Sequence, residues 1–173
     1  LFRSQQLSPG QAWCKPKLGA AALRAASDLR QDGSMRFELI PHSPGIGGYL
    51  AEFHAGPDVG RRWAEGSLFM DGDVFEALVF NIGAFTLKKP VVTVQGDALG
   101  RLADELEDVA RQVSHADSPK AIWPYTAGYG YTQFNAIRDW PGERQAFTHM
   151  LRELGAWARS AQADGTPLTI RSM

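Results

Sequence analysis

Two stretches of the chain repeat apolar residues at the spacing of an α-helix, and they organise the rest of the reading. Leu99, Leu102, Leu106, Val109 and Val113 follow one another at intervals of 3, 4, 3 and 4. They form one stripe, with Arg101, Asp104, Glu105, Asp108 and Arg111 on the opposite side. This pattern predicts a helix over 98–113. Asp97 can cap or favour its start, and Arg111 favours the C-terminal end of the dipole. A second helix is predicted over 141–162, with Phe147, Met150, Leu151, Leu154, Trp157, Ala158 and Ala161 on its buried side. Pro141 sits in its first turn, where a missing N–H costs nothing, and Asp164-Gly165 ends it.

Other segments alternate with the period of a strand. Arg36–Ile40 does so and stops at Pro41. Tyr49 to His54 puts Tyr49, Ala51 and Phe53 on one face, and Trp63 to Met70 is a short apolar run ended by Asp71-Gly72. Pro90 to Gln95 is the clearest strand, β-branched and bounded by Pro90 and Gly96. Pro167 to Arg171 closes the chain as another, and Tyr131 to Arg138 is a further candidate. The span 73–85 is ambiguous. Asp73 with Glu76 resembles a capping box, and Val74, Phe75, Leu78, Val79 and Ile82 share a helical face ahead of Gly83. Its β-branched and aromatic content points the other way; the capping pattern favours a short helix.

Strands come first, then two long amphipathic helices, each beside a strand. That order fits an α+β fold: a mixed or antiparallel sheet with both helices packed on one face, in a single domain spanning 35–173. The 173 residues, 44% hydrophobic and 21% charged, suit one domain with a proper core. Residues 1–34 read differently. They are polar, broken by Pro9, Gly10 and Pro16, and only Leu18–Leu29 has helical character. We expect a tail, a linker, an expression remnant ahead of Met35, or a docked helix; the alanine-rich, positive character also resembles a targeting peptide.

Charge changes the picture modestly. Residues 1–34 carry five Lys/Arg against two Asp, a net of +3, so the rest of the chain holds −4 of the total of −1. This gives no bulk electrostatic reason to expect nucleic acid or an anionic membrane as partner. The single cysteine, Cys14, precludes an intramolecular disulfide and suggests a reducing cytoplasm. No apolar run approaches the roughly 20 residues of a membrane-spanning helix.

Candidate chemistry is sparse. His42, His54, His115 and His149 lack metal-motif spacing, and Pro44 to Gly48 lacks the lysine of a phosphate loop and reads as a turn. No cofactor or metal site is expected. Five aromatics fall within 12 residues in Trp123, Tyr125, Tyr129, Tyr131 and Phe134, set among glycines and a proline. Rigid rings lose little entropy on binding, so this segment is a candidate recognition surface, or else it fills the gap between helices and sheet. Asp104 and Asp108, one turn apart, are a candidate face for a basic partner, or a solvated helix exterior.

These features favour a non-catalytic binding or inhibitor protein acting through protein–protein contact. Small acidic cytoplasmic immunity proteins of bacterial toxin systems are similar in general shape and composition, an analogy at the level of fold alone. A small-molecule binding domain is the alternative, or a small enzyme with a dispersed site, using His42 or His54 with Glu52 or Asp139.

Overall fold

The computed structural model describes residues 35–41, 49–86, 88–125 and 137–172. The elements are β1 (Leu50–Ala55), β2 (Leu68–Asp71), α1 (Gly72–Leu78), β3 (Val91–Val94), α2 (Asp97–His115), a 3₁₀ helix (Pro119–Tyr125), α3 (Trp140–Ala163) and β4 (Leu168–Arg171). The strands form one antiparallel sheet in the order β2-β1-β4-β3. This is the expected α+β architecture, with the long helices packed against each other and against one sheet face.

Register sorts the sheet residues by face. Ala51 pairs with Met70, Phe53 with Leu68 and Ile170, and Val92 with Ile170, so these side chains share the face that meets the helices. Phe53, Phe75 and Phe85 form an aromatic group there, with Phe75 and Phe85 stacked at 4.7 Å between ring centroids. From α2, Leu99, Leu102, Leu106, Val109 and Val113 are all buried, as the stripe requires. From α3, Phe147, Met150, Leu151, Leu154, Ala158 and Ala161 close the core, while Trp157 only borders it, half-buried. Each large side chain removed from water here contributes about 1.5–3 kcal/mol, which makes the helix pair the main source of stability.

The helices run antiparallel, and Gly155 of α3 faces Ala103 and Leu106 of α2. A Cβ built there would lie 3.5 Å from the Ala103 carbonyl oxygen and 3.7 Å from Leu106 Cβ, in ordinary van der Waals contact. Outside the core the same pair is laced by ion pairs, Asp104 with Arg159 at 3.0 Å and Glu107 with Arg152 at 3.2 Å. At the far end, Trp140 Nε1–H and Arg144 Nη1–H both donate to the Ala116 carbonyl, at 2.8 and 3.0 Å. A carbonyl left over at the end of α2 is thereby satisfied by the start of α3.

Several local expectations need correction. Residues 36–40 do not form a strand: the chain bends at Glu38, and only Ile40 bridges, to Phe69. Continuing that antiparallel pairing would set residues 36–39 against 70–73, where the chain is already turning into α1. The segment instead buries Met35, Phe37 and Leu39, with Phe37 stacked on Phe147 at 4.6 Å. The run from Trp63 yields a strand only from Leu68; residues 63–67 are loop. The span 73–85 is helical only to Leu78. Its N-cap is Asp71, accepting from Asp73 N–H, and Val79 is its C-cap in place of Gly83. The chain then turns so that Ile82 and Phe85 reach the core, and Gly83 N–H donates to Glu105 on α2 at 2.7 Å. The N-cap of α2 is Gly96, with no side-chain cap bond; Asp97 is its first residue, in the turn where a carboxylate favours the dipole. α2 runs two residues beyond the expected 113, to His115, and the 3₁₀ helix follows it. Residues 1–34, the turn at 42–48 and most of the candidate strand from Tyr131 lie outside the described residues; Ile137 and Arg138 are not in a strand.

Two substitutions test this packing. Gly155→Ala relieves the helix-interior penalty of glycine, about 1 kcal/mol, without a clash. It should therefore raise the melting temperature by about 2–4 °C, and a fall would show the crossing to be tighter than these distances allow. Burial raises the pKa of Asp71, against the lowering effect of its bonds from the backbone of Asp73, Val74 and Arg36. The folded protein thus holds that proton more tightly than the unfolded chain. Its contribution is greatest below the ordinary aspartate range, near pH 4, and is lost as pH rises through the elevated value. Asp71→Asn keeps the cap acceptor, so the variant should match or exceed wild type at pH 7 and fall behind it toward pH 4. Denaturant unfolding across that range would refute this if the difference stayed flat.

Candidate functional site

The second face of the sheet carries Glu52, His54, Phe69, Thr93, Thr169 and Arg171, by the same register. Polar residues on an open face would meet water, yet Glu52 is only 2% exposed and Thr169 only 1%. What covers them is the connection from β1 to β2, residues 56–67. Glu52 accepts from Trp63 N–H at 3.0 Å, Ala64 N–H at 2.8 Å and Ser67 Oγ–H at 2.8 Å. Two successive backbone N–H groups converging on one anion make the concavity that proteins use to bind phosphates and carboxylates. Here the chain's own Glu52 fills it.

The loop is fastened at its other end too. Thr169 Oγ1–H donates to the Gly56 carbonyl at 2.8 Å, and Gly56 N–H to the Pro167 carbonyl at 2.7 Å. Arg171, mostly buried, forms an ion pair with Asp58, which also accepts from Gly60 N–H at 2.7 Å. Gly56 has φ +137, a conformation for which glycine is suited, and a Cβ there would sit 3.1 Å from His54 Nε2.

Trp63 is the unusual residue. Its φ of 62 places it in the left-handed region, and among the described residues it is the non-glycine with that backbone. The conformation costs about 1–2 kcal/mol, which the two bonds to Glu52 offset. It sets the indole against Phe69, with ring centroids 5.0 Å apart, while 38% of the residue faces water. In the same loop Val59 is 48% exposed, and Arg61 and Arg62 are exposed and form no ion pair among the described residues.

Glu52, His54 and Ser67 do lie together, but their order does not suit nucleophilic catalysis. Ser67 is 1% exposed and gives its proton to Glu52; His54 Nδ1 stands 3.4 Å from the hydroxyl, and the carboxylate does not orient the ring. Asp139, the other acid considered with a histidine, caps α3 and accepts from Gly142 N–H at 3.3 Å. His115 and His149 are exposed on helices.

Among the sequence-derived candidates, Asp104 and Asp108 are exposed on α2 as expected, and each is engaged by an arginine: Arg159 and Arg111. Trp123 and Tyr125 lie on the 3₁₀ helix; Tyr129 and Tyr131 lie outside the described residues, as do His42 and Cys14. An open groove of about 710 Å³ between the end of α2 and the start of α3 is lined by Ser114, Arg144, Thr148, His149 and Arg152, among others. Ser114, Arg144, Thr148 and Arg152 already bond within the helix pair. The β1–β2 loop was not foreseen as a site. Its signal was a glutamate in the middle of a strand whose loop holds Arg-Arg-Trp.

Among the described residues no helix is long and apolar enough to cross a membrane, and no group of His, Cys, Asp and Glu is placed to hold a metal ion. Comparison of this chain with protein-family models, curated proteins and solved structures finds no match.

Removing the Glu52 carboxylate orphans two N–H groups and a hydroxyl. Glu52→Ala should cost about 3 kcal/mol, and Glu52→Gln less, since one acceptor oxygen remains. The loosening should be local first: trypsin cleavage after Arg61 and Arg62 should accelerate well beyond cleavage after Arg101 on α2. Equal acceleration at all three sites would mean that Glu52 does not hold the loop in particular.

Proposed function

We propose that this chain is a non-catalytic cytoplasmic protein that binds, and in doing so regulates or inhibits, another protein. The β1–β2 loop is its contact. The observation that carries this is Trp63, in the left-handed region with its N–H bonded to a buried carboxylate and its indole partly in water, in one loop with exposed Val59, Arg61 and Arg62. Trp and Arg are the residues that most often dominate protein interfaces, because each buries large area and makes directional contacts. A loop already fixed before binding loses less conformational entropy on association. Backbone strain is retained where surrounding structure enforces it, and binding surfaces are among the places that use it.

The chemistry around Glu52 supports the same reading. Its serine is buried and bonded to the carboxylate, so the cluster serves to position the loop. Trp123, Tyr125, Tyr129 and Tyr131, with Asp104 and Asp108, make a second candidate contact on sequence grounds, and the test separates the two. Capture from native lysate by wild type should yield a partner that Trp63→Ala and the double variant Arg61→Glu/Arg62→Glu lose. Arg101→Glu, a control on exposed α2, should retain it. With the partner in hand, Trp63→Ala should weaken binding by about 30-fold, the effect of a hot-spot residue. Undiminished capture by both loop variants would refute the loop as the contact, and loss in Tyr129→Ala instead would assign the contact to the aromatic segment.

A further inference from the structure

The loop's charges point to the chemistry of its partner, an inference that rests on the loop being the protein contact. Within residues 57–66 the charged groups are Asp58, Arg61, Arg62 and Glu65. Asp58 is neutralised by Arg171, so the loop offers two exposed guanidinium groups against one exposed carboxylate, Glu65. Four other arginines are engaged on the helix pair: Arg111, Arg152 and Arg159 pair with Asp108, Glu107 and Asp104, and Arg144 donates to the Ala116 carbonyl, while Arg36, Arg101 and Arg138, like Arg61 and Arg62, form no ion pair among the described residues. Arg61 and Arg62 directly precede the anchored Trp63 in one loop with exposed Val59, and neither forms an ion pair among the described residues.

We infer that the loop receives an acidic segment of another protein, with carboxylates meeting Arg61 and Arg62 and an apolar side chain meeting Trp63 and Val59. Guanidinium binds carboxylate through two parallel hydrogen bonds, which sets direction as well as attraction. Apolar contact at Trp63 excludes water from those bonds and strengthens them. A nucleic acid or an anionic membrane would also present anions, but over a long array. Such partners need an extended basic surface, and here two arginines stand on a body of net −4. Short-range complementarity to a few carboxylates is what a patch of this size can supply.

The test uses the full chain and a fluorescently labelled peptide of alternating Glu and Leu, read by anisotropy. Wild type should bind it, more weakly as salt rises. Arg61→Gln/Arg62→Gln and Trp63→Ala should each lose about tenfold or more, while Arg101→Gln loses nothing. The acidic assignment is overturned if the peptide does not bind, or binds the double variant as well as wild type. It is equally overturned if a single-stranded oligonucleotide or a phosphatidylserine vesicle binds more tightly than the peptide and through the same arginines. Should the peptide fail while lysate capture still depends on Trp63, only the acidic chemistry falls. Should capture be independent of the loop as well, the functional reading falls with it.

Discussion

A sheet has two faces, and a small protein must either cover each one or build it from groups that water can reach. The two long helices take one face here, and among the described residues the other is covered by the β1–β2 connection of about a dozen residues. That connection has little apolar surface to offer, so it is held by polar bonds, and the most demanding of them centre on Glu52. Burying a carboxylate is costly unless donors surround it. Trp63 N–H, Ala64 N–H and Ser67 Oγ–H supply three, with the chain turned left-handed at Trp63. The conformation of the loop follows from satisfying one buried acid.

The same bonds tie the loop to the order in which the fold is completed. β4 lies between β1 and β3, yet it is the last strand in sequence, and it reaches its place only after α2 and α3 have run out and back. The Thr169–Gly56 bond and the Arg171–Asp58 pair each join residues 113 apart in sequence. Such non-local pairing carries a large loop-closure cost and forms late. The loop is thus fixed at one end by its own strand and at the other by the chain's final strand. A surface assembled in that way depends on the whole helix-and-sheet core behind it.

The helices were legible in the sequence because their signal is redundant. Leu99, Leu102, Leu106, Val109 and Val113 each repeat the same message, and a single ambiguous position changes little. β3 was equally plain from its β-branched run. The polar cover was illegible for the opposite reason. Leu50, Glu52 and His54 alternate with apolar residues, which reads as a strand with one wet side, and only three-dimensional closure shows that the wet side is dry. Trp63 and Ala64 looked like the start of β2 because apolar composition does not distinguish a pairing strand from a loop residue packed on Phe69. The cap of α1 was misplaced by two residues for a local reason: Asp71 and Asp73 are both credible caps, and Asp71 was read as a strand end.

Counting charges along the chain also hid where they are available. Arginine and acid alternate on both α2 and α3, and the two helices meet so that Asp104 and Glu107 reach Arg159 and Arg152. Such exposed pairs contribute at most about 1 kcal/mol each, but they occupy the groups that a partner would need. An acidic helix face that looks free in sequence is therefore partly self-complementary. Arg61 and Arg62 form no ion pair among the described residues, and of the loop's two acids Asp58 is engaged by Arg171 in fastening the loop. Anchoring the loop therefore uses one of its acids and leaves two arginines against the exposed Glu65 on its surface.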